Sequence, residues 1–237
     1  RYTVKPCITF CDWTYDYFLS HFSKKAPDVL ESQEIVNQQR VIDNVDLMCV
    51  LFPDVQNYLV GKYGYADKIK YLGNVVNSPA FSLTRAAIGS KANSRSIVFI
   101  GLKKYIAGAK SLILAVNGRY DIDIIGMDKA DFEDMELPEN VFLHGYLNKS
   151  VKSEFDLYYS LVNNCKLFVN TTPNWSSFSA TLDVMYHGTP VIISKYASFE
   201  ETFGDRLNFG VYSSNNPKEL KLKIENVMSL NEEGYYD

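Results

Sequence analysis

From residue 96 onward, short and largely apolar runs alternate with longer segments of helical character. "SIVFIG" (96–101), "DIDIIG" (121–126), "ENVFLHGYL" (139–147) and "CKLFVNTT" (165–172) read as strands. So do the "PVII" run that follows Gly188 and "LNFGVYSS" (207–214). Helices are expected through "GAKSLILAVN" (108–117), "KSEFDLYYSLVNN" (152–164) and "PKELKLKIENVMSL" (217–230), the last with Pro217 in its first turn. Strands that are apolar on both faces and separated by helices argue for a parallel sheet covered on both sides. This half holds about five strand–helix units, enough for a complete Rossmann-like α/β domain.

The first half carries the same alternation in fewer units. "CITFCD" (7–12), "LMCVLF" (47–52) and "KIKYLGNVV" (68–76) read as strands. "VLESQEIVNQQRVIDNVD" (29–46) reads as a helix with an apolar stripe through Leu30, Ile35 and Ile42. "DVQNYLVGKYG" (54–64) reads as a helix capped by Asp54. Three strands are too few for a domain of ordinary size, so roughly a hundred further residues are expected to belong to it. The Ser-, Ala- and Asn-rich stretch 77–96 reads as a linker. The expected division is a partial Rossmann-like domain over 1–90 and a complete one over 91–237.

Composition narrows the function classes. A net charge of −4 gives no electrostatic footprint for nucleic acid. No apolar run reaches the roughly 18 residues that span a membrane. The N-terminus has no signal-peptide pattern, and a cytoplasmic protein is expected. Cys7, Cys11, Cys49 and Cys165 fit no zinc spacing and read as buried free thiols in a reducing compartment. His21, His144 and His187 show neither metal nor triad spacing; His187, beside the helix-ending Gly188, reads as a helix-dipole partner. No metal and no cofactor is expected.

In doubly wound sheets, ligands bind beyond the carboxyl ends of the strands. Three loops there carry chemistry. In "GLKKYIAG" (101–108), Gly101 and Gly108 permit close backbone approach and Lys103 and Lys104 add charge. That is a phosphate-binding turn or a tight turn with solvated lysines. In "HGYLNKS" (144–150), Gly145 and Tyr146 present backbone and a ring to a base, or form a plain turn. In "PNWSSFSATLDVMYHGTPVI" (173–192), Ser176, Ser177, Ser179 and Thr181 crowd a helix start, with Trp175 at its mouth and Phe178 beside it. Free helix N–H groups and hydroxyls attract anions. Asp183, in the first turns of that helix, accepts ribose hydroxyls or serves the helix dipole.

The order of these loops resembles the nucleotide-sugar-binding domain of glycosyltransferase family 4, whose GT-B fold pairs two Rossmann-like domains. "SIVFIG" with "AGAKSLILAV", "VFLHGYLNKS" and "LDVMYHGTPVII" resemble the blocks of that domain, and "NVDLMCVLFPDVQNYLVGKYGYADKIKYLGNVVN" resembles the close of the N-terminal one. "FCDWTYDYF" resembles a segment of some members in which a strand ends in Asp before an aromatic helix. The resemblance covers residues 7 to about 230. It implies sugar transfer from a UDP- or GDP-sugar to a glycan, lipid-linked or other acceptor, with retention and without metal, the nucleotide sugar being substrate rather than cofactor. It implies donor contacts at Gly101, Lys103, Lys104, Gly145, Tyr146, Trp175, Ser176, Ser177, Phe178, Ser179 and Asp183, and acceptor-side contacts at Asp12, Trp13 and Tyr15. It also allows peripheral attachment at the inner face of a membrane.

Departures from the family pattern carry information. Of the two glutamates usual in members, the ribose-binding one falls on Asp183 and the sugar-binding one on Trp175, which has no carboxylate. The usual Arg and Lys of the first loop fall on Leu102 and Ala107. These losses keep open a non-catalytic, glycosyltransferase-like partner module, and a third class, a nucleotide-sugar epimerase, lacks its carboxylate and histidine set here.

Overall fold

The computed structural model describes residues 5–73, 76–173, 178–205, 207 and 209–236. The chain divides into two compact units, Arg1–Val75 with Tyr196–Gly204, and Val76–Lys195 with Asp205–Asp237.

The first unit is built on three parallel strands in the order β1-β2-β3: β1 (Ile8–Cys11), β2 (Leu47–Val50) and β3 (Ile69–Tyr71). After β1 come α1 (Tyr15–Phe18), a π-helical turn (Leu19–Ser23) and α2 (Val29–Asn44). Asp28 and Glu31 form a reciprocal capping box at the start of α2. The apolar stripe expected along α2 is buried only toward its C-terminal end. Ile42 is fully buried and Ile35 partly so, but Leu30, in the first turn, is 78% exposed. α3 (Pro53–Tyr63) has Pro53 as its first residue, and Phe52 stands at its N-cap position without a side-chain cap bond. Asp54 is therefore not the cap; it sits inside the first turn, where the helix dipole still favours a carboxylate. β1 departs from two-sided cover. It is an edge strand, and Ile8 and Phe10 are exposed. Cys49 is buried, whereas Cys7 and Cys11 are only partly so.

The second unit holds six parallel strands in the order β6-β5-β4-β7-β8-β9. They are β4 (Ser96–Ile100), β5 (Asp121–Ile125), β6 (Val141–Leu143), β7 (Leu167–Asn170), β8 (Val191–Ile193) and β9 (Gly210–Tyr212). The chain starts in the middle at β4, winds outward to β6, then returns to β7 beside β4 and winds the other way. This is the doubly wound order, and β4/β7 is its switch point. The period-two residues Ile97, Phe99, Ile122, Ile124, Leu167 and Val169 form one buried face. Against it pack Ala109, Leu112, Ile113 and Val116 of α5 (Ile106–Val116) and Leu220, Ile224 and Met228 of α9 (Pro217–Met228), at helical spacing.

The expected linker contains α4 (Arg85–Asn93), N-capped by Thr84. The boundary therefore falls at Val75/Val76 rather than at 90/91, and α8 (Ala197–Phe203) belongs with the first unit. The buried Lys91 ties α4 to the second unit. Its ammonium donates to the Val162 carbonyl at 2.8 Å and to Thr189 Oγ1 at 2.6 Å, inside the second unit. A second buried ammonium, Lys166, donates to the carbonyls of Ala92 (2.6 Å), Met228 (3.0 Å) and Leu230 (2.7 Å). It thereby serves the negative ends of both α4 and α9. No helix among the described residues is long and apolar enough to cross a membrane.

Candidate functional site

The carboxyl ends of β4 and β7 are tied by Asn170, a residue the sequence reading passed over. Its amide donates to the Ile100 carbonyl at 3.2 Å, and its oxygen accepts from Thr172 N at 3.2 Å and Thr172 Oγ1 at 2.8 Å. A buried amide held this way fixes the chain at Thr172, just after β7, ahead of α7 (Phe178–Tyr186). Trp175, Ser176 and Ser177 lie outside the described residues. Phe178 is buried, so it packs the first turn, while Ser179 is exposed. α7 ends at Gly188, whose φ of +69° suits glycine, and an added Cβ would come 2.6 Å from Leu83 Cδ1.

Asp183 stands in the second turn of α7 and is 5% exposed. Its Oδ2 accepts from Lys149 Nζ at 2.7 Å and from Tyr158 OH at 2.9 Å. Its Oδ1 is buried and has no donor among the described residues. An unsatisfied buried acceptor costs about 1–3 kcal/mol. The Lys149 ammonium also lies 3.8 Å from the centre of the Tyr158 ring and 3.2 Å from Tyr159 OH. Burial first, and the neighbouring Asp183 second, push the Tyr158 hydroxyl well above its ordinary range, so it stays a donor. Tyr158 and Tyr159 come from α6 (Lys152–Asn164), and Lys149 from the loop before it. Lys149 and Tyr158 were missed. The signal for Lys149 was present, because it ends the "HGYLNK" block; the Asp183 partnership is a tertiary contact.

The first loop has a different account from the expected one. A Cβ on Gly101 would meet Tyr105 Cδ2 at 2.8 Å, and one on Gly108 would strike Thr172 Oγ1 and lie 3.0 Å from Thr172 N. Both glycines are thus explained by close packing within the protein. Lys103 faces Asp131 at 3.4 Å, and Lys104 lies 5.1 Å from the Tyr105 ring centre. In the second loop, Gly145 has a φ of +62° and clasps the turn after β5. Its N–H donates to the Met127 carbonyl at 3.1 Å, and its carbonyl accepts from Gly126 N at 2.7 Å. Tyr146 beside it is 72% exposed, an open aromatic face at the carboxyl end of the sheet.

None of the histidines is poised as a base. His187 is buried, with Nδ1 donating to Asn163 Oδ1 and Nε2 accepting from Ser78 Oγ, both at 2.7 Å. Burial lowers its pKa, which keeps the ring neutral and removes the charge that a dipole partner needs. His144 Nε2 is 2.8 Å from Asp123 Oδ1, and Asp123 Oδ2 accepts from Ser96 Oγ at 2.6 Å. His21 stacks on Tyr17, ring centres 4.0 Å apart.

In the first unit, the three predicted residues have separate surroundings. Asp12 is exposed. Trp13 stacks on Phe52 (5.8 Å between centroids) and tilts against Phe22 (5.1 Å). Tyr15 OH donates to Glu31 at 3.2 Å. The buried acid is Asp16, which was not anticipated. It accepts from Tyr17 N (2.8 Å) and Gln38 Nε2 (2.7 Å) on one oxygen, and from Tyr63 OH (2.6 Å) on the other, where Lys62 Nζ also lies at 2.8 Å. Burial opposes its ionisation, but the hydrogen bonds from Lys62, Tyr63 and Gln38 overcome it and hold the carboxyl far below the usual range.

No family model matches the chain, and no curated protein does. Solved structures do. HepE from Anabaena, crystallised with UDP and glucose, matches at a TM-score of 0.66 and 16% identity over 95% of this chain and 62% of that one. TarM matches at 0.65 and 15% over 97% of this chain and 44% of that one. WaaG, a glycosyltransferase involved in lipopolysaccharide biosynthesis, matches at 0.65 and 12% over 97% and 68%. The chain thus spans less than two thirds of the length of HepE. At these identities the likeness is one of fold: a mixed α/β architecture of parallel sheets, shared with the GT-B glycosyltransferases.

Proposed function

We propose that the protein moves a sugar from a UDP- or GDP-sugar to the hydroxyl of a glycan, lipid-linked or other acceptor, as a cytoplasmic enzyme that works with retention and without metal. The bond from the anomeric carbon to the β-phosphate oxygen breaks. The acceptor oxygen takes its place on the same face of the sugar, and its proton leaves on the nucleoside diphosphate. The observation that carries this reading is Asp183 Oδ1, a buried carboxylate oxygen without a donor among the described residues, on the helix that follows the switch-point strand β7 of a doubly wound sheet. Ribose hydroxyls supply the missing donors. In this reading the positive end of the α7 dipole, with Lys103 and Lys104 of the first loop, stabilises the charge that develops on the leaving group. Tyr146 offers its face to the base. HepE's complex with UDP and glucose, on the same fold, supports the donor class.

The test is calorimetric titration of the protein with UDP, GDP and their sugars. Micromolar to millimolar binding of one nucleoside diphosphate is expected; no heat with any of them at millimolar ligand would sink the reading. Trp175→Ala then separates the sugar from the nucleotide. It should weaken the nucleotide sugar and spare the free nucleotide if the indole stacks on the sugar. A second reading, a non-catalytic partner module, is favoured by Lys103 facing Asp131 and by Leu102 and Ala107 standing where cations are usual. Nucleotide binding without any release of nucleoside diphosphate from the sugar donor, across acceptors, would decide for it.

A further inference from the structure

The two oxygens of Asp183 are unequal, and the inequality is imposed by two residues from outside α7. Lys149 and Tyr158 both donate to Oδ2, at 2.7 and 2.9 Å, while Oδ1 is buried with no donor among the described residues. A carboxylate on a single methylene can rotate about its terminal bond, and that torsion is broad. Two donors fixed on one oxygen remove this freedom. The Lys149 ammonium is held in turn by Tyr159 OH at 3.2 Å and by the face of Tyr158, 3.8 Å from its centroid. Lys149 also follows a turn that is itself braced: Asn148 N donates to Glu154 Oε2 at 2.6 Å, and Ser150 N to Asn148 Oδ1 at 3.0 Å. The clamp therefore rests on a locked loop.

We propose that Lys149 is a positioning residue which, with Tyr158, locks Asp183 so that Oδ1 alone is presented to the vicinal hydroxyls of a bound ribose. This rests on the nucleotide reading of the site. Lys149 thereby sets the preference for ribose over deoxyribose without touching the reacting atoms. It also neutralises the carboxylate, so that the site accepts hydroxyl donors next to an anionic diphosphate.

The experiment compares a ribonucleoside diphosphate with its 2′,3′-dideoxy counterpart by calorimetry, in the wild-type chain and in Lys149→Met, Lys149→Arg and Tyr158→Phe. Wild type should prefer the ribonucleotide about tenfold, the size of one good hydrogen bond to a charged group. In Lys149→Met the ribonucleotide should lose roughly tenfold more affinity than the dideoxy form, erasing the preference, and Lys149→Arg should restore part of it. Tyr158→Phe should reduce the preference by roughly threefold and serves if Lys149→Met fails to fold. A preference retained in Lys149→Met, or an equal loss of both ligands, overturns the positioning role while leaving the nucleotide site standing. Failure of the wild type to bind either ligand overturns the nucleotide reading, and this inference with it.

Discussion

Asp16 in the first unit and Asp183 in the second are both nearly buried acids, each beside a lysine and a tyrosine hydroxyl. They differ in how their oxygens are used. Both oxygens of Asp16 are occupied, by a backbone N–H, an amide, a tyrosine and an ammonium. Asp183 has its donors on one oxygen and, among the described residues, none on the other. A saturated buried carboxylate is a structural node; a half-satisfied one stores a cost that a ligand can relieve. Asp54 repeats the pattern of Asp183. Its Oδ2 accepts from Tyr17 OH and from Ser198 Oγ at 3.3 Å, and its Oδ1 is buried without a donor among the described residues. The residue is only half-buried and sits in the first turn of α3, where the helix field stabilises the anion.

The contrast makes opposite predictions for the two acids. Asp16→Ala strands Gln38, Tyr63 and Lys62, and should cost about 2–4 kcal/mol in urea unfolding, toward the low end because Lys62 reaches solvent. Asp183→Asn should cost much less stability, since an amide oxygen can still accept from Lys149 and Tyr158, but should weaken nucleoside diphosphate binding by roughly 1.5–3 kcal/mol. Equal losses of stability in the two variants would erase the distinction between node and site.

Acid titration separates the units by pH. Asp16 has a folded pKa below its unfolded value, so its contribution is complete above about pH 4 and is lost as pH falls through the folded pKa. His187 also has a depressed folded pKa, so the unfolded state takes up its proton first and stability declines as pH drops below about 6.5. Two phases of loss are expected in urea midpoints between pH 8 and 2.5, each with a slope of at most about 1.4 kcal/mol per pH unit and per group. His187→Gln should flatten the first and Asp16→Asn the second. A single phase untouched by either substitution would show that neither environment controls acid stability. The smallest effect is expected from the tyrosines. Tyr63→Phe should cost about 0.5–1.5 kcal/mol in unfolding free energy and leave nucleotide binding unchanged, whereas Tyr158→Phe should cost a similar amount and also change binding.

The alternation of apolar runs and amphipathic segments determined the class of fold, because strand and helix periods are local properties of the chain. α6 falls on residues 152–164, as its pattern required, and the glycine at 188 ends α7, as a left-handed cap must. Asp183 was legible as an acid on α7. Its partners were not, for Lys149 is 34 residues away and Tyr158 is 25, and pattern carries no distance information across such gaps. The same limit hid Lys91. A lysine in a Ser- and Asn-rich stretch reads as solvated, yet a carbonyl of α6 and a hydroxyl of the loop before β8 draw it inside and tie α4 to the second unit. The two glycines of the first loop were legible as sites of close approach, but what approaches them is Tyr105 and Thr172. Local sequence decides which backbone conformations are available. Which polar atom ends up facing which other, and which oxygen of Asp183 is left over, is settled only when the elements pack and every buried donor has to find an acceptor.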